Sequence, residues 1–388
     1  MTGTDAPMLQ DLRERVRRFV DEVAIPLESP AIEKDVDALD AAARALRRQA
    51  KDSGIYGPQL PLEYGGLALP WRACAELFEE SARSLLGPIG LNCAPPDQPN
   101  AWLLDLLASP AQREQFLGPI ARGEKRACFA MTEPAPGAGS DPSMLSTTAR
   151  RKNGAWVLDG HKKYISGGVK ADIAIVPART EEGVTLFVFD TARPGYRVVR
   201  DIPMVTGYQV GGHAEILMES CEVPADAVLG TAGHGLEHIQ LRLEPARLSH
   251  CMRFIGRARR AMEIAQRHVN ERVSFGNRLS ELQQVQAMIA DSHIDLHASR
   301  LVTLHCASLM DEGQSVKHYS SMAKVFVSEA VGRVADRAMQ MTGALGVSED
   351  APISAIWREM RPFRIYDGAN EVHRSALARR ILRHELSP

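Results

Sequence analysis

The sequence predicts an α+β protein in three parts: a helical unit over residues 1–126, an antiparallel β unit over 127–235 and a helical bundle over 236–388. Three observations predict it. Apolar residues recur at three- and four-residue steps up to about residue 122. Short β-branched runs punctuated by Gly and Pro then occupy about 127–229. Long helical periodicities return after about 236.

In the first part, Leu12, Val16, Phe19, Val20 and Val23 share one helical stripe, with Arg and Glu between them. Pro26 closes that helix. Further helices are predicted at about 38–53, 71–85, 100–107 and 111–122. Tyr64-Gly65-Gly66 and Ala94-Pro95-Pro96-Asp97 read as the breaks. The second part opens a hairpin at 156–160, and strands follow at 173–176, 184–189, 196–199 and 214–218. Helices at about 246–271, 282–310 and 317–341 fit a bundle.

Composition narrows the function. The 388 residues are 45% hydrophobic and 24% charged, ordinary values for a globular chain with a sizeable core. The net charge of −2 argues against a protein built around a basic nucleic-acid face. Six scattered cysteines form no Cys-x-x-Cys pair, so neither a zinc site nor a disulfide framework is expected. No apolar run is long enough to span a bilayer, and the polar start at 1–5 does not resemble a signal peptide. A cytoplasmic location is the expectation.

Five runs could carry chemistry. In Cys128-Phe129-Ala130-Met131-Thr132-Glu133-Pro134-Ala135-Pro136-Gly137-Ala138-Gly139-Ser140-Asp141, glycines allow close backbone approach to a ligand, and hydroxyls and free N–H groups could cradle phosphate or ring oxygens. A surface loop at a domain boundary reads equally well. In His161-Lys162-Lys163-Tyr164-Ile165-Ser166-Gly167-Gly168, an aromatic ring at a strand end could face a planar cofactor or close a hairpin. Arg272, in Arg272-Val273-Ser274-Phe275-Gly276-Asn277-Arg278 ahead of Gln283, could neutralise a diphosphate or sit solvated at a helix end. Gln340-Met341-Thr342-Gly343-Ala344-Leu345-Gly346 could be a helix C-cap and nothing else. The last is Arg364-Ile365-Tyr366-Asp367-Gly368-Ala369-Asn370-Glu371-Val372-His373-Arg374, where Asp-Gly permits a tight turn that holds a short acid at a helix junction.

In this order and spacing, the five runs resemble the acyl-CoA dehydrogenases, a family of flavoproteins, over nearly the whole chain to Arg383. Met-Thr-Glu-Pro…Ala-Gly-Ser-Asp is the most specific signature. The run 247–253 and Asp367-Gly368 with Glu371-Val372-His373 are similar to the branch of family members 10 and 11. The resemblance implies FAD between the β unit and the C-terminal helices. It implies flavin or substrate contacts from Phe129, Met131, Thr132, Gly139 and Ser140, and a wall against the ring system from Tyr164, Ile165 and Ser166. There Tyr replaces the family's Trp and Ser its Thr. Arg272, Phe275, Gln283, Gln340 and Gly343 match positions that reach the FAD of a neighbouring subunit, which implies a homodimer or homotetramer. At a further FAD contact, Ala369 replaces a Thr and Glu371 a Gln. Ser140, Arg247, Tyr366 and Gly368 are implied at the substrate.

The same resemblance puts Asp367 at the catalytic base, where the best-known members carry Glu. The implied reaction is α,β-desaturation of an acyl-CoA, with electrons passed to an electron-transfer flavoprotein. Burial is expected to raise the Asp367 pKa toward its task. Asp shortens the reach by about 1.5 Å, one C–C bond. The family's alternative base position falls on Ala246 and is empty, while Glu244 lies two residues further back, before Pro245. Two other readings share the resemblance. A flavin oxidase of the nitroalkane oxidase type would use the same Asp. A flavin-bearing DNA-associated protein would use the arginines at 257–260 and 374–383, which otherwise read as solvated faces or interfaces.

Overall fold

The computed structural model describes residues 6–384, so the polar start at 1–5 lies outside them. The helical unit contains α1 (Ala6–Phe19), α2 (Val36–Asp52), α3 (Trp71–Ser81) and α4 (Asp97–Leu107). In α1, Leu12, Val16 and Phe19 are the buried stripe. Asp35 caps α2 by accepting from the Asp37 and Ala38 amides at 2.9 and 3.0 Å, satisfying two of the N–H groups a helix start leaves free. The last stretch, read as one helix at 111–122, is a short α-turn, a π-turn over Arg113–Leu117 and another short α-turn. Helix α3 stops at Ser81, short of the expected 85.

The β unit holds β1 (Ala127–Phe129), β2 (Thr148–Lys152), β3 (Ala155–Ser166), β4 (Ile173–Thr180), β5 (Gly183–Asp190), β6 (Tyr196–Asp201), β7 (His213–Val223) and β8 (Val228–Leu229). They pair in the order β6-β7-β3-β2-β4-β5-β8. The ladder is antiparallel except at its centre, where β1 runs parallel to β4 and Thr148 of β2 bridges Arg179 in parallel. Trp156, Phe187, Phe189 and Met218 build the sheet's own core, with Trp156 edge-on to Phe187 at 5.3 Å. β1 emerges from the helical unit directly into the sheet, carrying Phe129 toward the boundary between the two.

The bundle is built on α5 (Gly235–Glu271), α6 (Gln283–Asp311) and α7 (Lys317–Thr342), followed by α8 (Ile353–Met360) and α9 (Asn370–Leu382). A two-stranded hairpin, β9 (Val273–Ser274) with β10 (Asn277–Arg278), links α5 to α6. Helix α5 begins well before the expected 246 and runs through Pro245. The carbonyl that Pro245 leaves without a partner is that of Leu241, an exposed residue whose carbonyl can turn to water. At Gly256, α5 presses on α3, where a Cβ would lie 1.9 Å from the Glu79 carbonyl oxygen. Arginines of the 257–260 cluster are spent inside the fold: Arg257 on Glu359 at 3.0 Å, Arg259 on Glu79 and Glu80, and Arg260 on Glu28. Among the described residues no helix is long and apolar enough to cross a membrane.

Candidate active site

The three units meet around one cavity of about 1310 Å³. That exceeds the roughly 300–1,000 Å³ typical of a single small-ligand site. Its walls come from residues 85–99 of the helical unit, from the signature loop and the end of β3, from one face of α5, and from the segment 362–376.

The signature loop is built around Glu133. Its carboxylate accepts from the Ala138 amide, from the amides and hydroxyls of Ser146 and Thr147, and from the Lys162 ammonium at 2.9 Å. A Cβ on Gly137 would lie 2.4 Å from Glu133 Oε2, so glycine is required for the loop to close on this acid. The Thr132 hydroxyl donates to the Lys163 carbonyl, tying the loop to β3. Phe129, Met131, Thr132, Gly139 and Ser140 then border the cavity, as do Tyr164, Ile165 and Ser166. The Tyr164 ring is about half exposed, while Ile165 turns into the sheet core. A Cβ built on Gly139 would meet only open space.

Asp367 lies across the cavity in the turn that precedes α9. Its φ is +52° and that of Gly368 is +94°. Three side chains pin the turn. Arg247 donates to the Asp367 carbonyl at 2.9 Å and His373 Nε2 lies 3.1 Å from it. Lys324 donates to the Gly368 carbonyl at 2.7 Å and to Asn370, which in turn donates to Ser328. The side chain faces His250, whose Nε2 is 3.2 Å from Asp367 Oδ2 but not aligned as a hydrogen bond, so this buried oxygen has no hydrogen-bond partner.

His250 is the residue that sequence reasoning missed. Arg253 Nη2 donates to its Nδ1 at 2.8 Å, which makes Nδ1 the acceptor and leaves the proton on Nε2, facing Asp367. The ring is sandwiched among Phe254, Phe363 and Tyr366. Burial and the Arg253 charge pull the His250 pKa down to about 4, so the imidazole is neutral. Burial alone would raise the pKa of Asp367, as the sequence led us to expect. The polar His250 N–H close beside it, with the charges of Arg242 and Arg247, overturns that expectation and holds the carboxyl well below the usual range. Arg242 is itself buried, donating to Asn100 at 2.8 Å with its guanidinium 4.2 Å from the Phe129 ring centroid.

Tyr366, Gly368, Arg247 and Ala246 also border the cavity, whereas Glu244 is not among its lining residues. The remaining sequence candidates are elsewhere. Arg272, Gln283, Gln340, Gly343 and Glu371 are exposed and, with Ala369, are outside this wall. Phe275, at the tip of the β9–β10 hairpin, is 97% exposed.

Models of the acyl-CoA dehydrogenase N-terminal, middle and C-terminal domains match residues 7–124, 128–221 and 233–382. The chain belongs to the acyl-CoA dehydrogenase family. As such it is an FAD-dependent oxidoreductase. It is 36% identical to FadE2 of Mycobacterium tuberculosis, named as an acyl-CoA dehydrogenase, over 88% of this chain and 86% of that one. It is 33% identical to the (R)-benzylsuccinyl-CoA dehydrogenase of Thauera aromatica over 96% and 94%. The human acyl-CoA dehydrogenase family member 11 is 32% identical over 97% of this chain, which spans half of that longer protein. Among solved structures, butyryl-CoA dehydrogenase from Megasphaera elsdenii superposes with a TM-score of 0.86 at 26% identity, covering 98% of this chain and all of that one.

Proposed function

We propose that this acyl-CoA dehydrogenase removes the α-proton of an acyl-CoA thioester with Asp367, while the β-hydrogen leaves as hydride. The observation that carries the reading is Asp367 Oδ2, a buried carboxylate oxygen on the cavity wall without a hydrogen-bond partner. The nearby cations keep this carboxylate ionised, the form that accepts a proton. They also make it a weak base in the free protein, so the α-proton must be acidified from the substrate side. The Asp367 N–H makes no hydrogen bond among the described residues and is available to the thioester carbonyl, where it would stabilise the developing enolate. His250 Nε2 stands 3.2 Å from the carboxylate without competing for the proton, because the other ring nitrogen already accepts from Arg253.

FAD fits the opposite wall, and when bound it supplies the hydride-accepting chemistry. The half-exposed Tyr164 ring, the open space at Gly139 and a cavity too large for one small ligand support this placement. Phe129, Met131, Thr132, Ser140 and Ser166 complete that side. Arg272, Phe275, Gln283, Gln340 and Gly343 serve the FAD of a second copy of the chain. Support for this lies in Phe275, a large apolar ring left uncovered at a hairpin tip. An electron-transfer flavoprotein is the proposed acceptor.

Anaerobic titration of the FAD-loaded enzyme with a panel of acyl-CoA thioesters tests the reaction. Bleaching of the flavin absorbance by at least one is expected, and bleaching by none overturns it. Phe275→Ser tests the sharing between copies: it should lower both FAD retention and the oligomeric mass measured by light scattering. Unchanged mass and retention would remove the second copy from the site.

A further inference from the structure

We infer that the acyl group taken by this enzyme carries a carboxylate of its own, and that Arg253 receives it at the deep end of the cavity. The inference rests on the cavity being the acyl-CoA site, as proposed above, and names the substrate class.

One face of α5 runs the length of the cavity. It starts at Leu236, which is 40% exposed, and continues through Leu243, Arg247 and His250 to Arg253 and Arg257, all of them buried. The spacing of three and four residues keeps this face in register for more than five turns, so its outer end is the mouth and Arg253–Arg257 the floor. A straight alkyl chain entering past Asp367 calls for apolar side chains at that floor. Leu85, Ile89 and Phe254 supply some, but two guanidinium groups stand among them.

The two arginines differ in their neutralisation. Arg257 has Glu359 at 3.0 Å. Arg253 is 3% exposed and has no carboxylate within 4 Å among the described residues. Its hydrogen bond goes to a neutral imidazole, and its Nε has no partner. A buried guanidinium without a counter-charge is costly, and its planar fork matches a carboxylate. Asp367 does not fill this role, because the His250 ring stands between them. That single imidazole also sets the scale. The anion at Arg253 lies only a few bonds from the carbons that react beside Asp367, which selects a short dicarboxylic monothioester over a long chain. Arg257 Nε and Glu359 Oε1, both buried and unpartnered, border the same end of the cavity and can take up the water or hydroxyl groups around such an anion.

The test compares matched CoA thioesters on the FAD-loaded enzyme by anaerobic stopped-flow flavin reduction. Glutaryl-CoA, with succinyl- and adipyl-CoA beside it, is set against pentanoyl-CoA and the neutral polar 5-hydroxypentanoyl-CoA. At least one dicarboxylic thioester should exceed both neutral ones in specificity constant by on the order of 10- to 100-fold, the range of a charge-assisted hydrogen bond. In Arg253→Met that ratio should collapse toward one, mainly through KM for the acidic substrate. Arg253→Lys, which keeps the charge and loses the fork, should retain part of it. Neutral thioesters reducing the flavin as well as the acidic ones would overturn the inference while leaving the desaturation reading standing. So would Arg253→Met or Arg253→Lys lowering all substrates equally, the mark of a residue that only fixes the His250 tautomer. Reduction by no thioester at all would overturn the desaturation reading, and this inference with it.

Discussion

Glu133, buried behind the signature loop, and Asp367, partly buried in the cavity wall, are two carboxylates whose neighbours hold both well below the ordinary carboxylate range against the opposing effect of burial. They differ in what their oxygens touch. Each Glu133 oxygen takes three donors, so its valence is full and the residue organises the signature loop. Asp367 Oδ2 takes no hydrogen bond, although three cationic or imidazole side chains surround the residue. Burial and a depressed pKa therefore do not distinguish a structural acid from a chemical one here. Between these two acids, unused valence facing the cavity does.

The largest expected effect breaks the pair apart functionally. Asp367→Asn keeps the shape and removes the proton acceptor. Flavin reduction by a substrate thioester should slow by on the order of 10²- to 10⁴-fold, the usual share of a general base, while FAD stays bound. Retained reduction would show that Asp367 is as structural as Glu133.

Glu133→Gln should do the reverse. It leaves the Lys162 ammonium buried without its counter-ion, and removing one partner of such a pair costs roughly 3–5 kcal/mol. Urea denaturation measures this. Adding Lys162→Met to Glu133→Gln should recover part of the loss, since no unpaired charge remains. If Glu133→Gln instead left stability intact and abolished flavin reduction, the two acids would have to exchange roles.

The fold was readable because its signals are local. The stripe at Leu12, Val16 and Phe19, the β-branched runs of β4 and β5, and the Gly-Pro breaks each act within a few residues. Where the reading slipped, a local rule met a tertiary exception, as at Pro245, whose missing hydrogen bond costs little beside an exposed carbonyl. The parallel β1–β4 pair is non-local and left no pattern to read. The position of Asp367 was legible only through the resemblance of five runs taken together. Its electrostatics were not legible at all. Arg242, Arg247 and His250 come from a helix about 120 residues away, and a single sequence does not show which helix face will surround a given acid. The polar residues at 247, 250, 253 and 257 did carry a signal, a helical spacing within an otherwise buried segment. The run 247–253 reads as a mark of one family branch and Arg247 as a substrate contact, but the shared face that also carries His250 and Arg253 went unread.

The smallest expected effect sharpens the comparison through the partners rather than the acids. Glu133 is held by a charged ammonium, Asp367 by an imidazole that the fold keeps neutral. Burial and Arg253 lower the His250 pKa from its ordinary 6.5 to about 4. In the unfolded chain the ring takes up a proton near 6.5, but in the folded chain it does so only near 4. The unfolded state therefore binds more protons between those values, and stability falls as the pH drops through that window and levels off below it. At about 1.4 kcal/mol per pH unit this single residue contributes at most about 3 kcal/mol. His373, lowered to about 4 by burial and Arg247, adds in the same direction. Asp367 and Glu133 act lower: their depressed values keep their contributions intact until the pH falls below the ordinary carboxylate range. Urea unfolding followed from neutral to acid pH should thus show a slope that becomes shallower in His250→Gln. If the slope were the same in both, His250 would be charged in the folded protein. Asp367 would then sit in an ion pair like that of Glu133 and Lys162, and only its unfilled oxygen would still set it apart.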